Sequence, residues 1–127
     1  MQWSILLAVA LGGATGSVAR YAVAGAVQPA TSAFPWGIFT VNVIGGFVMG
    51  VIVELSALKL NLTPEMRAFL TVGILGGFTT FSSFSLDSVM LIQRGDYALA
   101  AFYIVGSVVL SIVALFAGLG LVRSLYA

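Results

Sequence analysis

The stretch Gly73-Ile74-Leu75-Gly76-Gly77-Phe78-Thr79-Thr80-Phe81-Ser82-Ser83-Phe84-Ser85-Leu86-Asp87-Ser88 sets three glycines, six hydroxyl side chains, three phenylalanines and one carboxylate into an otherwise oily chain. Leaving one polar group unpaired in hydrocarbon costs roughly 2–7 kcal/mol. A cluster this dense therefore excludes a helix bathed in lipid and requires protein contact, or a path for water and ions, along that face. The segment is the first place to look for function.

Composition sets the class. Hydrophobic residues make up 61% of the chain and charged residues 7%, with a mean hydropathy of +1.15, which places the chain among integral membrane proteins. The 127 residues accommodate four spans, each of about 20 residues, with short connections and no sizeable extramembrane domain. We therefore expect an all-α membrane protein, one four-helix transmembrane domain over residues 1–127, with spans near 5–27, 36–55, 69–93 and 97–122. Gln28-Pro29-Ala30-Thr31-Ser32 with Pro35, residues 59–64, and Arg94-Gly95-Asp96 read as the turns between them. Thr63-Pro64-Glu65-Met66 reads as a helix start, with threonine as cap and proline at the first helical position. Trp3, Trp36, Tyr97 and Tyr126 fall near span ends, as interfacial anchors do. Ala22-Val23-Ala24 resembles a signal-peptidase site, but no basic residue precedes the apolar run, so the first span is expected to be retained.

Cysteine and histidine are both absent, which removes disulfides, thiol chemistry and the commonest transition-metal ligand. A net charge of +1 gives no footprint for nucleic acid. Orientation is barely encoded. Lys59, Arg67 and Arg123 fall on one side, and Arg94 on the other, with Arg20 inside the first span. So small a positive-inside bias permits insertion both ways up, and two opposite protomers can close a twofold assembly about an axis in the membrane plane. An antiparallel, dual-topology homodimer is the expected architecture.

Gly12 and Gly16, Gly46 and Gly50, and Gly73 and Gly77 recur at the four-residue spacing that lets helices approach closely. Gly76-Gly77 directly precedes Phe78-Thr79-Thr80-Phe81, and two glycines followed by two β-branched threonines weaken a helix. A break there frees backbone carbonyls, which are tolerated at depth where they line a cavity or hold a hard cation. A continuous helix whose hydroxyls bond back to the preceding turn is the other reading of the same residues.

Phe81 and Phe84 lie three apart and share a helix face with Phe78, an arrangement that ordinarily means packing. An aromatic ring also has a positive edge, so two rings presented edge-on can hold an anion without a full charge. Tyr103, Ser107 and Ser111 recur every four residues as a hydroxyl stripe on the fourth span. Asn42 brings amide donors about 10 Å into the second. Uncharged donors converging from three spans suit a conducting path, because they neutralise an anion without trapping it. Arg20 either snorkels to the interface or draws anions into a vestibule, and the two roles are compatible. Asp87 falls near the mouth of such a path or pairs with an arginine, while Glu54, Glu65 and Asp96 read as interfacial charges. No carboxylate pair, nucleophile with base, phosphate loop or metal-ligand cluster is present in the pattern, which argues against an enzyme.

The string Gly76-Gly77-Phe78-Thr79-Thr80-Phe81-Ser82-Ser83-Phe84-Ser85, together with Trp36-Gly37-Ile38-Phe39-Thr40-Val41-Asn42-Val43-Ile44-Gly45-Gly46, resembles the Fluc fluoride channels, also called the CrcB family. The resemblance extends over essentially the whole chain. It implies a dual-topology homodimer with two antiparallel pores, passive, selective for fluoride over chloride, and multi-pass in the plasma (inner) membrane, where it releases accumulated fluoride from the cell. By resemblance, Phe81 and Phe84 are pore phenylalanines and Asn42 a pore asparagine. Tyr103, Ser107 and Ser111 form a polar track, Thr80, Ser82, Ser83 and Asp87 accompany the pathway, and Arg20 belongs to the entrance vestibule. The resemblance further implies a structural sodium ion at the dimer axis, held by the backbone carbonyls of Gly76 and Thr79. Asp87 and Ser83 stand where the family often carries glutamate and threonine. Both keep the chemical type, although the shorter Asp87 reaches less far.

Two rivals come from other classes. A proton-coupled exporter like the small multidrug-resistance proteins shares four spans and antiparallel pairing, but needs a titratable carboxylate deep in the bundle. The first, second and fourth span interiors lack one. A structural assembly subunit whose glycines only pack helices leaves Asn42 and the converging hydroxyls unexplained.

Overall fold

The computed structural model describes residues 2–127, which form helices joined by short turns. Helix α1 runs Trp3–Val27 and α2 Trp36–Leu58. The third span is composite. It begins with α3 (Pro64–Arg67), widens into a π-helical stretch at Ala68–Leu75, returns to α geometry in α4 (Gly76–Phe78), breaks, and resumes as α5 (Phe81–Gln93). Helix α6 (Tyr97–Tyr126) completes the bundle. Four helical units, Trp3–Val27, Trp36–Leu58, Pro64–Gln93 and Tyr97–Tyr126, are long and apolar enough to cross a membrane.

The helices reach past the apolar stretches because a helix does not stop where hydrocarbon does. Thr63 accepts the Met66 N–H at 3.1 Å, with Pro64 at the first helical position, so the third span starts in the interface as its capping signal predicts. At the opposite end Gly95 takes φ +81°, the left-handed geometry that lets Arg94-Gly95-Asp96 reverse the chain in three residues. Trp3, Tyr97 and Tyr126 are exposed at the span ends.

Lipid supplies little hydrophobic drive between helices, so packing rests on close contact. Helix α1 lies against the π-helical stretch and α4, and α2 packs along α6. Glycines set both spacings. A Cβ on Gly12 would stand 2.5 Å from the Phe69 carbonyl oxygen, and one on Gly77 would stand 2.6 Å from that of Gly13. Likewise a Cβ on Gly46 would meet the Ser111 carbonyl oxygen at 2.6 Å. The small-residue pairs read from the sequence are thus the contact ridges of two tight helix pairs. The buried core sits at one end, where Phe34 from the α1–α2 loop packs with Phe84, Leu91, Ala100 and Tyr103. Gln28 fastens that loop, donating to the Phe34 carbonyl at 3.1 Å and accepting the Gly37 N–H at 3.0 Å.

Glu54, read from the sequence as an interfacial charge, lies near the end of α2 and is buried. It is 8% exposed and receives Arg123 in a two-pronged ion pair, Nε to Oε1 at 2.8 Å and Nη2 to Oε2 at 3.3 Å. The α2–α6 contact brings together residues 69 positions apart, which spacing along either helix does not reveal.

Candidate functional site

The third span does break, but downstream of the position its glycines suggest. Gly76 and Gly77 remain helical, and the extended residues are Thr79 (φ −77°, ψ 157°) and Thr80 (φ −152°, ψ 122°). The physical reason lies in the partners. Gly77 is needed as a glycine because α1 passes against it, whereas Thr80 has a hydroxyl that starts a new helix, accepting the Ser83 N–H at 3.1 Å. Phe78 consequently belongs to a different helix from Phe81 and Phe84, and the three rings do not share one face.

The break changes the partners of the backbone groups around it. In a continuous helix the Gly76 carbonyl accepts the N–H of residue 80 and the Thr79 carbonyl that of residue 83. Here the Thr80 N–H goes to Asn42 Oδ1 at 2.8 Å and the Ser83 N–H to the Thr80 hydroxyl. Gly76 and Thr79 therefore each lose their helical donor. Thr79 turns its own hydroxyl back to the Leu75 carbonyl at 2.9 Å, beside its N–H at the same distance.

Next to the break lies a groove of about 400 Å³ lined by Asn42, Thr79, Thr80, Phe81, Phe84, Ser107 and Ser111 among apolar neighbours. Several helical hydroxyls bond to the carbonyl four residues before, as Ser17 does to Gly13, Ser85 to Phe81 and Ser88 to Phe84. Ser107 and Ser111 do not. Their hydroxyl oxygens are buried with no hydrogen-bond partner, one turn apart and both on the groove. Phe84 is 9% exposed and Phe81 78% exposed, with ring centroids 5.5 Å apart at 49°. Ser82 is exposed, its hydroxyl 3.4 Å from that of Thr80, while Ser83 is half-buried.

Tyr103 is fully buried behind this groove. Its ring lies 5.3 Å from that of Phe84, and its hydroxyl donates to the Asp87 carboxylate at 3.1 Å. Asp87 in turn lines a second cavity of about 340 Å³, walled by Gln28, Ser32, Gly37 and Arg94 near the α1–α2 loop. The two cavities share no lining residue, and the contiguous contacts Phe84–Tyr103–Asp87 join one to the other. Of the residues singled out in the sequence, Asn42, Thr79, Thr80, Phe81, Phe84, Ser107 and Ser111 meet at the groove, and Tyr103 and Asp87 continue from it. Arg20 is half-buried on α1 and lines neither cavity; Arg94 and Gln28 occupy the second cavity instead. Gln28 is the residue sequence reading missed, its role depending on a loop conformation that no periodicity announces.

Similarity to known proteins gives the family. The family model for the CrcB-like protein, Camphor Resistance (CrcB), matches residues 7–119. A fluoride-specific ion channel FluC of Agrobacterium fabrum (strain C58) is 56% identical over 119 residues, covering 93% of this chain and 95% of that protein. One of the same name from Nitrobacter winogradskyi is 52% identical over 124 residues, covering 97% and 98%. Another from Rhodospirillum centenum is 52% identical over 121 residues, covering 94% and 96%. The chain belongs to the CrcB family, and it is a multi-pass membrane protein.

Proposed function

We propose that this CrcB-family chain is a passive, fluoride-selective channel of the plasma (inner) membrane, not an enzyme, and that it lets fluoride leave the cell down its gradient. The observation that carries the reading is the pair of buried, partnerless hydroxyls of Ser107 and Ser111 on a groove shared with Phe81, Phe84 and Asn42. Fluoride is small and strongly hydrated, so it leaves water only for several close donors. Unpaired hydroxyls held in a narrow aromatic groove are such donors, and a larger halide fits them poorly. The pathway runs past Asn42, Thr80, Ser82, Ser83, Phe81 and Phe84 along Ser111, Ser107 and Tyr103 to Asp87, with Arg20 drawing anions toward its entrance.

The working unit is an antiparallel homodimer in the lipid bilayer. Supporting this, Gly76, Phe81 and Ser82 are exposed on one protomer although they flank the break, and the charges give little orientational bias. A sodium ion on the twofold axis fits the residues present. Gly76 and Thr79 offer carbonyl oxygens deprived of helical donors, an all-oxygen set suited to a hard cation. Bound there, the ion would neutralise converging carbonyl dipoles and supply positive potential near the pores. A proton-coupled exporter is disfavoured, since Glu54 is tied to Arg123 and Asp87 to Tyr103.

The test is anion efflux from liposomes containing the purified protein and loaded with potassium fluoride and potassium chloride, with valinomycin carrying the compensating potassium, read with fluoride and chloride electrodes in the absence of a pH gradient. Rapid fluoride release with chloride retained is the expected result. Equal release of both ions, or release that requires a proton gradient, would refute the proposal.

A further inference from the structure

Asn42 spends both ends of its side-chain amide on the backbone of one residue. The Thr80 N–H donates to Oδ1 at 2.8 Å, and Nδ2 donates to the Thr80 carbonyl at 3.1 Å. An extended residue that offers both its backbone groups is being paired as a neighbouring strand would pair it. The link crosses 38 residues, from α2 to the middle of the third span. One helical turn further along α2, Gly45 leaves room for the other extended residue, since a Cβ there would overlap the Thr79 methyl group. Helix α2 thus carries a template for two non-helical residues: an amide that pairs Thr80 and a gap that receives Thr79.

We propose that Asn42 is a positioning residue that keeps the third span broken, acting through the Thr80 backbone in addition to lining the groove. The Thr80 N–H is the donor that an unbroken helix returns to the Gly76 carbonyl. While Asn42 holds it, that carbonyl stays free, Thr80 stays extended, its hydroxyl stays in place to cap α5, and Phe81 and Phe84 begin the new helix facing the groove. Only the Nδ2 hydrogen not spent on Thr80 remains for an ion. The functional half of this inference rests on the channel reading above; the structural half does not.

The experiment uses the full-length protein in lipid nanodiscs, with the carbon chemical shifts of Thr79 and Thr80 reporting extended or helical backbone. Native protein gives extended shifts at both residues. Asn42→Leu, similar in size but without an amide, moves both toward helical or averaged values, leaves residues 84–93 helical, and lowers fluoride efflux at least tenfold. Should that variant fail to fold, Asn42→Ser, which can make only one of the two bonds, displaces the same two shifts partway. Replacing the amide of residue 80 by an ester removes the N–H with Asn42 intact and reproduces the loss of efflux. Combined with Asn42→Ser, it adds less than the product of the single effects, because both act on one bond. Efflux that falls in the Asn42 variants while the shifts at 79 and 80 keep their native values would overturn the inference, as would full additivity with the ester. If native protein passes no fluoride yet the shifts move as stated, the channel reading falls and the clamp stands.

Discussion

Gly76 and Gly77 are chemically identical neighbours in α4, and the structure assigns them opposite sensitivities. In Gly77→Ala the new methyl group would stand 2.6 Å from the Gly13 carbonyl oxygen of α1, with Gly13 Cα and the Ser17 nitrogen at 3.2 Å. All three are backbone, so no side chain can swing away. Restoring ordinary contact at about 3.4 Å requires α1 and α4 to part by roughly 0.8 Å, enough to forfeit a quarter to a half of each nearby dispersion well. Overpacking of this kind costs about 1–3 kcal/mol. In Gly76→Ala the methyl group meets only the Thr71 carbonyl oxygen, at an unstrained 3.7 Å. Within one protomer that change is neutral, or favourable by up to about 1 kcal/mol from helix propensity. The assay is reversible unfolding in mixed micelles, dilute enough to isolate protomers, beside dimer dissociation measured by fluorescence transfer in bilayers. Gly77→Ala should lower protomer stability. Gly76→Ala should leave it intact, while Gly76→Ala, and more strongly Gly76→Val, should weaken the proposed dimer if its twofold axis passes at Gly76. Equal loss of protomer stability in both alanine variants would refute the packing argument, and an undisturbed dimer in Gly76→Val would remove the twofold contact from that position.

Further predictions address the pathway, the cap, the ion and the topology. Phe81→Ile and Phe84→Ile keep an apolar side chain but lose the ring edge, so fluoride efflux should drop about tenfold or more, equivalent to about 1.4 kcal/mol, with the dimer retained; unchanged efflux in both would reduce the rings to packing. Thr80→Val deletes the hydroxyl that caps α5 at Ser83 and should destabilise the protein by about 0.5–2 kcal/mol, with Thr80→Ser close to native, as read by chemical denaturation. Prolonged dialysis against a large organic cation should abolish efflux and loosen the proposed dimer, and sodium should restore both, with Thr79→Ser unaffected because the proposed ligand is its backbone carbonyl; insensitivity to sodium would dismiss the cation site. A single cysteine at Asn61, in the loop after Lys59, should be labelled in part from each side of intact cells, and labelling from one side alone would rule out dual topology.

Class, number of spans, turns and small-residue ridges were legible in the chain's residues, because these follow from local composition and from helical spacing. The spacings Gly12 to Gly16 and Gly73 to Gly77 could each be read along one helix, four residues at a time. A break was one of two readings the sequence offered, since Gly76-Gly77 and Thr79-Thr80 both oppose a continuous helix while back-bonded hydroxyls permit one. Its position was not legible. Propensity sees the weakest residues, which are the glycines, but the chain opens where a partner accepts the backbone it releases, and that partner is Asn42, 38 positions away. Tertiary structure likewise decided which hydroxyls are free. Ser85, Ser88, Ser107 and Ser111 are alike in sequence, yet the first two bond back to their own helix while the last two stay unpaired against the groove. It also decided that Glu54 is a buried partner of Arg123 and that Arg94, not Arg20, reaches the second cavity. Each of these depends on which helix faces which, a matter of close packing between backbones that no single helix encodes alone.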